Sequence, residues 1–179
     1  KNSSGKLSPK SIANTNGWWN CLIAADFDGD GDQDLIGGNL GANTRLKASP
    51  ESPIRIYTKD FDQNGAIDPI MTFHLDGKDY PYAGRDSMIK QIAKVKKKFT
   101  RYHKYADADI EQILSPAALK DAYKLEINNL LTGYFENTGD GNFTYRPLPD
   151  MAQIGPCHSV ITDDFNKDGK LDLLLVGND

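Results

Sequence analysis

Short apolar runs alternate with polar turns along most of this chain. Cys21-Leu-Ile-Ala-Ala25 and Leu35-Ile-Gly-Gly38 flank one acidic stretch, and Ser159-Val-Ile-Thr162 and Leu173-Leu-Leu-Val176 flank another. Between them, Ile54-Arg-Ile-Tyr-Thr58 alternates apolar and polar positions, followed by an acidic stretch and a run near Ile70–Leu75. Runs of this length, bounded by Gly, Asp and Asn, read as strands. Asp76-Gly77 signals a tight hairpin, and Thr132–Tyr145 forms a further hairpin. The period changes after Arg85. Met88, Ile92, Val95 and Phe99 recur at helical spacing, which places them on one helix face. Asp86-Ser87 is a candidate cap for that helix. Asp107 or Asp109 opens a short helix through Leu114, and Ser115-Pro116 opens another to about Tyr123. The pattern predicts a mainly β chain, one unit over 1–179, with a small α-helical insertion at 85–122.

The acidic stretches share one register. In the first, Asp26, Asp28, Asp30, Asp32 and Asp34 occupy every second position, with Gly31 at the sixth. The second has Asp60, Asp62, Asn64, Ala66 and Asp68 at the corresponding odd positions, with Gly65 at the sixth. The third has Asp164, Asn166, Asp168, Lys170 and Asp172, with Gly169 at the sixth. Phe27, Phe61 and Phe165 all stand at position two. Carboxylates this close repel one another unless they wrap a hard cation. Calcium takes about 6–8 oxygens from carboxylates and backbone carbonyls. Positions one, three, five and nine would supply side chains, and position seven (Asp32, Ala66, Lys170) its carbonyl, with the Asp32 side chain turned outward. Two to three bound Ca2+ ions follow. An EF-hand is excluded, because position twelve is Gly37, Met71 or Leu175 rather than Glu, and strands rather than helices flank each loop.

These strand–loop–strand repeats resemble those of the FG-GAP/VCBS family, the calcium-bearing blades of integrin-like β-propellers. The hairpin Tyr134-Phe-Glu-Asn-Thr-Gly-Asp-Gly-Asn-Phe143 is similar to the one that closes such repeats. The resemblance covers about half the chain. The remainder is similar to large secreted VCBS/FG-GAP proteins of Bacteroidetes-like bacteria. It implies antiparallel β-propeller-type blades forming a partial propeller. It also implies an extracellular, periplasmic or outer-membrane-surface location, and a role in adhesion, ligand binding or scaffolding. Only 34 residues separate Asp26 from Asp60, too few for a full blade, so both loops are expected in one blade. Gly177-Asn178 repeats Gly38-Asn39 and is expected to open another.

Charge adds little to this picture. The net charge is −4, but eleven of the 25 acidic residues sit in the three loops, leaving the rest of the chain basic. No segment approaches the ~20 apolar residues of a membrane span, and no secretory signal is visible. The chain opens on Lys1 and stops just after a strand, as a piece of a longer protein would. Exposed edge strands would then favour association. Cys21 and Cys157 are not repeat-equivalent and are expected as free thiols.

Trp18 and Trp19 point to opposite sides of an extended segment, so one is expected to pack and the other to be partly exposed. They are the candidate ligand-binding residues, as a stacking platform beside the 39–53 connection, in the alternative reading of a glycan-binding accessory to a carbohydrate-active enzyme. Lys90, Lys94, Lys96, Lys97, Lys98, Arg101 and Lys104 make the helical insertion basic, with Tyr102, His103 and Tyr105 interleaved. A solvated helix face is expected there rather than nucleic-acid contact; an acidic polysaccharide or lipid headgroups would be the next partners. His74, His103 and His158 have no metal-ligand spacing, and no nucleophile elbow or phosphate loop occurs. No catalytic residue is assigned; a protein or glycan ligand is the expected partner.

Overall fold

The alternation of apolar and polar positions is realised as antiparallel hairpins. The computed structural model describes residues 2–3, 5–139 and 141–178, and the chain divides into two compact units, Lys1–Arg45 with Asn129–Asp179, and Leu46–Asn128. The first unit opens with β1 (Asn2–Ser3), β2 (Lys6–Leu7), β3 (Cys21–Ala25) and β4 (Asp34–Gly38). The second contains β5 (Ile54–Lys59), β6 (Asp68–Leu75), β7 (Lys78–Pro81), helices α1 (Arg85–Gln91), α2 (Lys94–Lys98), α3 (Tyr102–Ala106), α4 (Ile110–Leu114) and α5 (Pro116–Lys120), and β8 (Tyr123–Ile127). The chain then returns to the first unit with β9 (Gly133–Asn137), β10 (Phe143–Pro147), β11 (Ser159–Asp163) and β12 (Asp172–Val176).

In the first unit the sheet order is β10-β9-β4-β3, with β11-β12 as a separate pair. This corrects the expectation that the first two acidic loops share a blade. β4 pairs with β9, setting Leu35 opposite Phe135 and Gly37 opposite Gly133. The 133–147 hairpin therefore takes the place that spacing assigned to the second loop. The reason is burial. Trp19 packs edge-on against Phe135 and Tyr145, with ring centroids 5.2 and 6.2 Å away, so β9 and β10 complete an aromatic cluster with it. Asn39, fully buried just after β4, ties the sheet to its surroundings. Its backbone N–H donates to Thr132 Oγ1, its amide to the Asn129 carbonyl, and its side-chain oxygen accepts from Trp18 N–H.

The second unit has its own sheet, ordered β7-β6-β5-β8. Its core joins Phe61 and Ile70 to Met88, Ile92, Val95 and Phe99 from the helices. The four residues of the amphipathic stripe are all buried, but the single helix they suggested is two. α1 ends at Ile92, whose backbone is extended (φ −129°, ψ 94°), and α2 starts at Lys94. Gly84, not Asp86 or Ser87, is the residue before α1. Asp109 and Gln112 form a capping box on α4, and Ser115 caps α5 ahead of Pro116. Asp76 (φ 49°) and Gly77 (φ 77°) make the expected turn between β6 and β7. The five helices fall between Arg85 and Lys120, inside the expected 85–122 stretch, and belong to a unit spanning 46–128 with four strands of its own.

Candidate metal centre

Each acidic stretch links two antiparallel strands, β3 to β4, β5 to β6 and β11 to β12, and the three loops repeat one hydrogen-bond skeleton. The position-two N–H donates to the position-nine carboxylate: Phe27 to Asp34 at 3.2 Å, Phe61 to Asp68 at 2.9 Å, and Phe165 to Asp172 at 3.1 Å. The glycine N–H donates to the position-one carboxylate: Gly31 to Asp26 at 3.0 Å, Gly65 to Asp60 at 2.8 Å, and Gly169 to Asp164 at 2.9 Å. Position seven donates to position five: Asp32 to Asp30, Ala66 to Asn64, and Lys170 to Asp168. The position-six glycines adopt φ +94°, +89° and +84°, a region costly for side-chain-bearing residues. Position four is left-handed as well, at Gly29, Gln63 and Lys167.

The clusters differ in how far they close. Asp26, Asp28 and Asp34 bring carboxylate oxygens within 4.8 Å of one another, and so do Asp60, Asp62 and Asp68. Among the described residues no such group forms at Asp164, Asp168 and Asp172. Asp34 and Asp68 are buried, whereas Asp172 is half-buried. Strand neighbours explain the difference. Asp34 accepts from Tyr134 Oη at 2.7 Å and from Asn137 N–H at 2.7 Å, both on β9. The second loop is clamped by the helices: Lys94 Nζ donates to the Phe61 carbonyl at 2.9 Å, and Gln91 donates to the Pro69 carbonyl at 3.0 Å. Among the described residues β11 and β12 pair only with each other, and Phe165 is 54 % exposed, against 8 % for Phe61. Sequence patterning marks Tyr134 and Asn137 only as hairpin residues and Lys94 only as part of a basic run, it does not mark Gln91, and nothing in it ties the four to the metal loops.

The electrostatics suit a cation. Asp32 Oδ1 and Asp62 Oδ1 are shielded from solvent and receive no hydrogen bond. Asp32 itself stands outside the group formed by Asp26, Asp28 and Asp34. The Asp32 carboxyl is pushed up by desolvation and by the charges of Asp30, Asp34, Asp28 and Asp26. For Asp28, the Asp30 backbone hydrogen bond opposes the rise, but desolvation and the charges of Asp30, Asp34 and Asp26 outweigh it. In the second loop Asp60 is held down by N–H groups of Gly65, Asn64, Gln63 and Asp62 against a smaller desolvation. Desolvation and Asp34 raise the Tyr134 phenol, keeping it a donor. These donor sets, all hard oxygens, could hold a metal ion. The carboxylates that converge are Asp26, Asp28 and Asp34, and Asp60, Asp62 and Asp68; Asp30 and Asn64 accept hydrogen bonds from within their loops, as Asp26, Asp28 and Asp60 also do.

Other candidate residues fall elsewhere. Trp18 and Trp19 lie before β3, not in it. Trp18 is 40 % exposed, while Trp19 packs and donates its indole N–H to the Thr15 carbonyl at 2.9 Å. Cys21 and Cys157 are free thiols with sulfurs 4.0 Å apart, and burial, with Cys21 beside it, pushes the Cys157 thiol up to about 11. His74 and Glu126 are linked through Asp79 and Arg55 on the second sheet. Asp79 Oδ1 contacts His74 Nδ1 at 2.7 Å and Arg55 Nη1 at 2.6 Å, Asp79 Oδ2 accepts from Tyr57 Oη, and Arg55 Nε donates to Glu126. The partners in this network satisfy one another.

Neither protein-family models, nor curated proteins, nor solved structures give a match to this chain. Among the described residues no helix is long and apolar enough to cross a membrane.

Proposed function

We propose that this chain is a calcium-stabilised, non-catalytic segment of antiparallel blades of the β-propeller type, serving adhesion, ligand binding or scaffolding outside the cytoplasm. The observation that carries the reading is the pair of three-carboxylate clusters on one repeated loop skeleton, each loop holding a carboxylate oxygen without a donor. Asp26, Asp28 and Asp34 would hold one ion, and Asp60, Asp62 and Asp68 the other. A bound cation supplies charge neutralisation, and the residues around it fix the strand ends: Tyr134 and Asn137 orient Asp34, and Lys94 and Gln91 orient the second loop. Calcium in the millimolar range suits open loops of this type, which supports an extracytoplasmic location. The FG-GAP/VCBS resemblance supports the propeller reading. So does the apolar surface left on the first unit at Leu22, Ile161, Leu174 and Val176, which further blades would cover.

The test is a thermal melt in excess chelator and in calcium, with calorimetric counting of ions. Ligand at about 100 times Kd stabilises by roughly 2.7 kcal/mol per site. The expected result is a large upward shift with two ions bound, reduced to one ion in Asp26→Asn and in Asp60→Asn. No shift and no binding would overturn the reading.

A further inference from the structure

The second unit carries an aromatic cavity of about 410 Å³ that the metal loops do not involve. It lies where β6 and β7 meet α1 and α3, and its principal walls are Phe73, Tyr80, Tyr82, Arg85, Tyr102 and His103. Phe73 and Tyr80 face each other across the β6–β7 ladder, with rings nearly parallel and 5.9 Å apart. Phe73, Tyr82 and Tyr102 are 36 %, 49 % and 65 % exposed. Three large aromatic residues left open around one cavity form the kind of apolar patch that marks a binding site.

Charge along the helices beside the cavity is mostly positive; Asp107 and Asp109 flank the wall residue Ala108, and Asp109 is paired with Lys78. From residue 85 to residue 106 the sole acid is Asp86, and it is occupied by Arg85 Nη1 at 3.1 Å and Tyr102 Oη at 2.8 Å. Arg85 also donates Nε to the Phe99 carbonyl and lies over the Tyr102 ring, 4.9 Å from its centroid. Its Nη2 makes no hydrogen bond among the described residues. The exposed side chains of Lys90, Lys96, Lys97, Arg101 and Lys104 have no acidic partner there either. The cavity therefore offers flat aromatic faces with a fixed guanidinium and an imidazole at their side, and Arg101 and Lys104 adjoin its wall residues Tyr102 and His103 in sequence.

We propose that this cavity binds an acidic oligosaccharide, a chain of pyranose rings bearing uronate carboxylates. The aromatic faces match the apolar face of a sugar ring, and the guanidinium and neighbouring cations match its carboxylate. The volume lies within the roughly 300–1,000 Å³ of small-molecule sites. Single-stranded nucleic acid calls for aromatic platforms strung along a basic groove; here the rings converge on one bowl. The proposal does not rest on the metal reading, and it moves the glycan contact expected at Trp18 and Trp19 to a different set of residues.

The experiment is titration calorimetry of the full chain in calcium with a hyaluronan hexasaccharide, a neutral chitin hexasaccharide and a single-stranded DNA. The expected result is saturable binding of the acidic sugar, with the neutral sugar at least about tenfold weaker. Tyr82→Ala, Tyr102→Ala and the Arg101→Glu/Lys104→Glu pair should each weaken binding by about tenfold or more, at unchanged melting temperature. Tyr102→Phe, which keeps the ring, should retain binding. The proposal is overturned if the acidic sugar does not bind, if the neutral sugar binds equally, if DNA binds more tightly, or if the four substitutions leave affinity unchanged.

Discussion

The loops at 26–34 and 60–68 have the same backbone and opposite electrostatic problems. In the first, desolvation and the neighbouring carboxylates push Asp28 and Asp32 toward protonation. In the second, Asn64 and Ala66 replace two of those acids, and backbone N–H groups hold Asp60 down. The support differs too: a neighbouring strand fixes Asp34, whereas a helical layer fixes the 60–68 loop. The third loop has the skeleton without the support, and its carboxylates do not converge. A loop sequence thus fixes the turn, while burial of position nine decides whether the ligands gather.

The largest test of this comparison removes position nine. Asp34→Ala leaves three donors, from Phe27, Tyr134 and Asn137, without an acceptor, and should cost roughly 3 kcal/mol or more in urea unfolding. Asp172→Ala, at a half-exposed site with one such donor, should cost under about 1 kcal/mol. Equal costs would show that the strand neighbour contributes nothing.

Next in size is a packing test in the first unit. A Cβ added at Gly38 would stand 2.5 Å from Cys21 Sγ and 2.8 Å from Cys157 Sγ, with the Cys157 carbonyl at 2.7 Å. Gly38→Ala should cost about 1–3 kcal/mol, measured by chemical denaturation.

The charge contrast gives a change of sign. Without calcium, Asp28→Asn and Asp32→Asn should raise the melting temperature by relieving repulsion; with saturating calcium, Asp28→Asn should lower it. Asp60→Asn should lower it in both conditions, because it weakens acceptance from Gly65 and Asn64. The pH dependence follows. Raised carboxyls such as Asp28 and Asp32 bind protons more readily folded than unfolded. Calcium-free stability therefore rises as pH falls from neutrality toward their ordinary value of 3.8. Asp60 and Glu126 are depressed, Glu126 by hydrogen bonds from Arg55 and Lys124. Their contribution is present above the ordinary values of 3.8 and 4.5 and is lost as pH falls below them. Melts of the calcium-free chain across this range check both signs.

The smallest expected effect concerns position four. Gln63→Gly and Lys167→Gly should each stabilise by up to about 1 kcal/mol, since both residues occupy left-handed backbone that glycine adopts freely. The first loop already has Gly29 there.

The sequence by itself determined the three turns. Aspartates at alternating positions and a glycine at position six leave few backbone solutions, and the flanking apolar runs fix a strand on each side. It also determined the Asp76-Gly77 hairpin, the caps at Asp109 and Ser115, and the burial of Met88, Ile92, Val95 and Phe99, because these depend on neighbours within a few residues. Only the tertiary structure decided that β4 pairs with β9 across the whole 46–128 unit. It alone brought His74, Asp79, Arg55 and Glu126 into one network, and gathered Phe73, Tyr80, Tyr82 and Tyr102 around a cavity. Spacing could not reveal these. Strand pairing is chosen by which edges can bury their side chains together, here Trp19 with Phe135 and Tyr145, and that choice is made between residues more than a hundred positions apart.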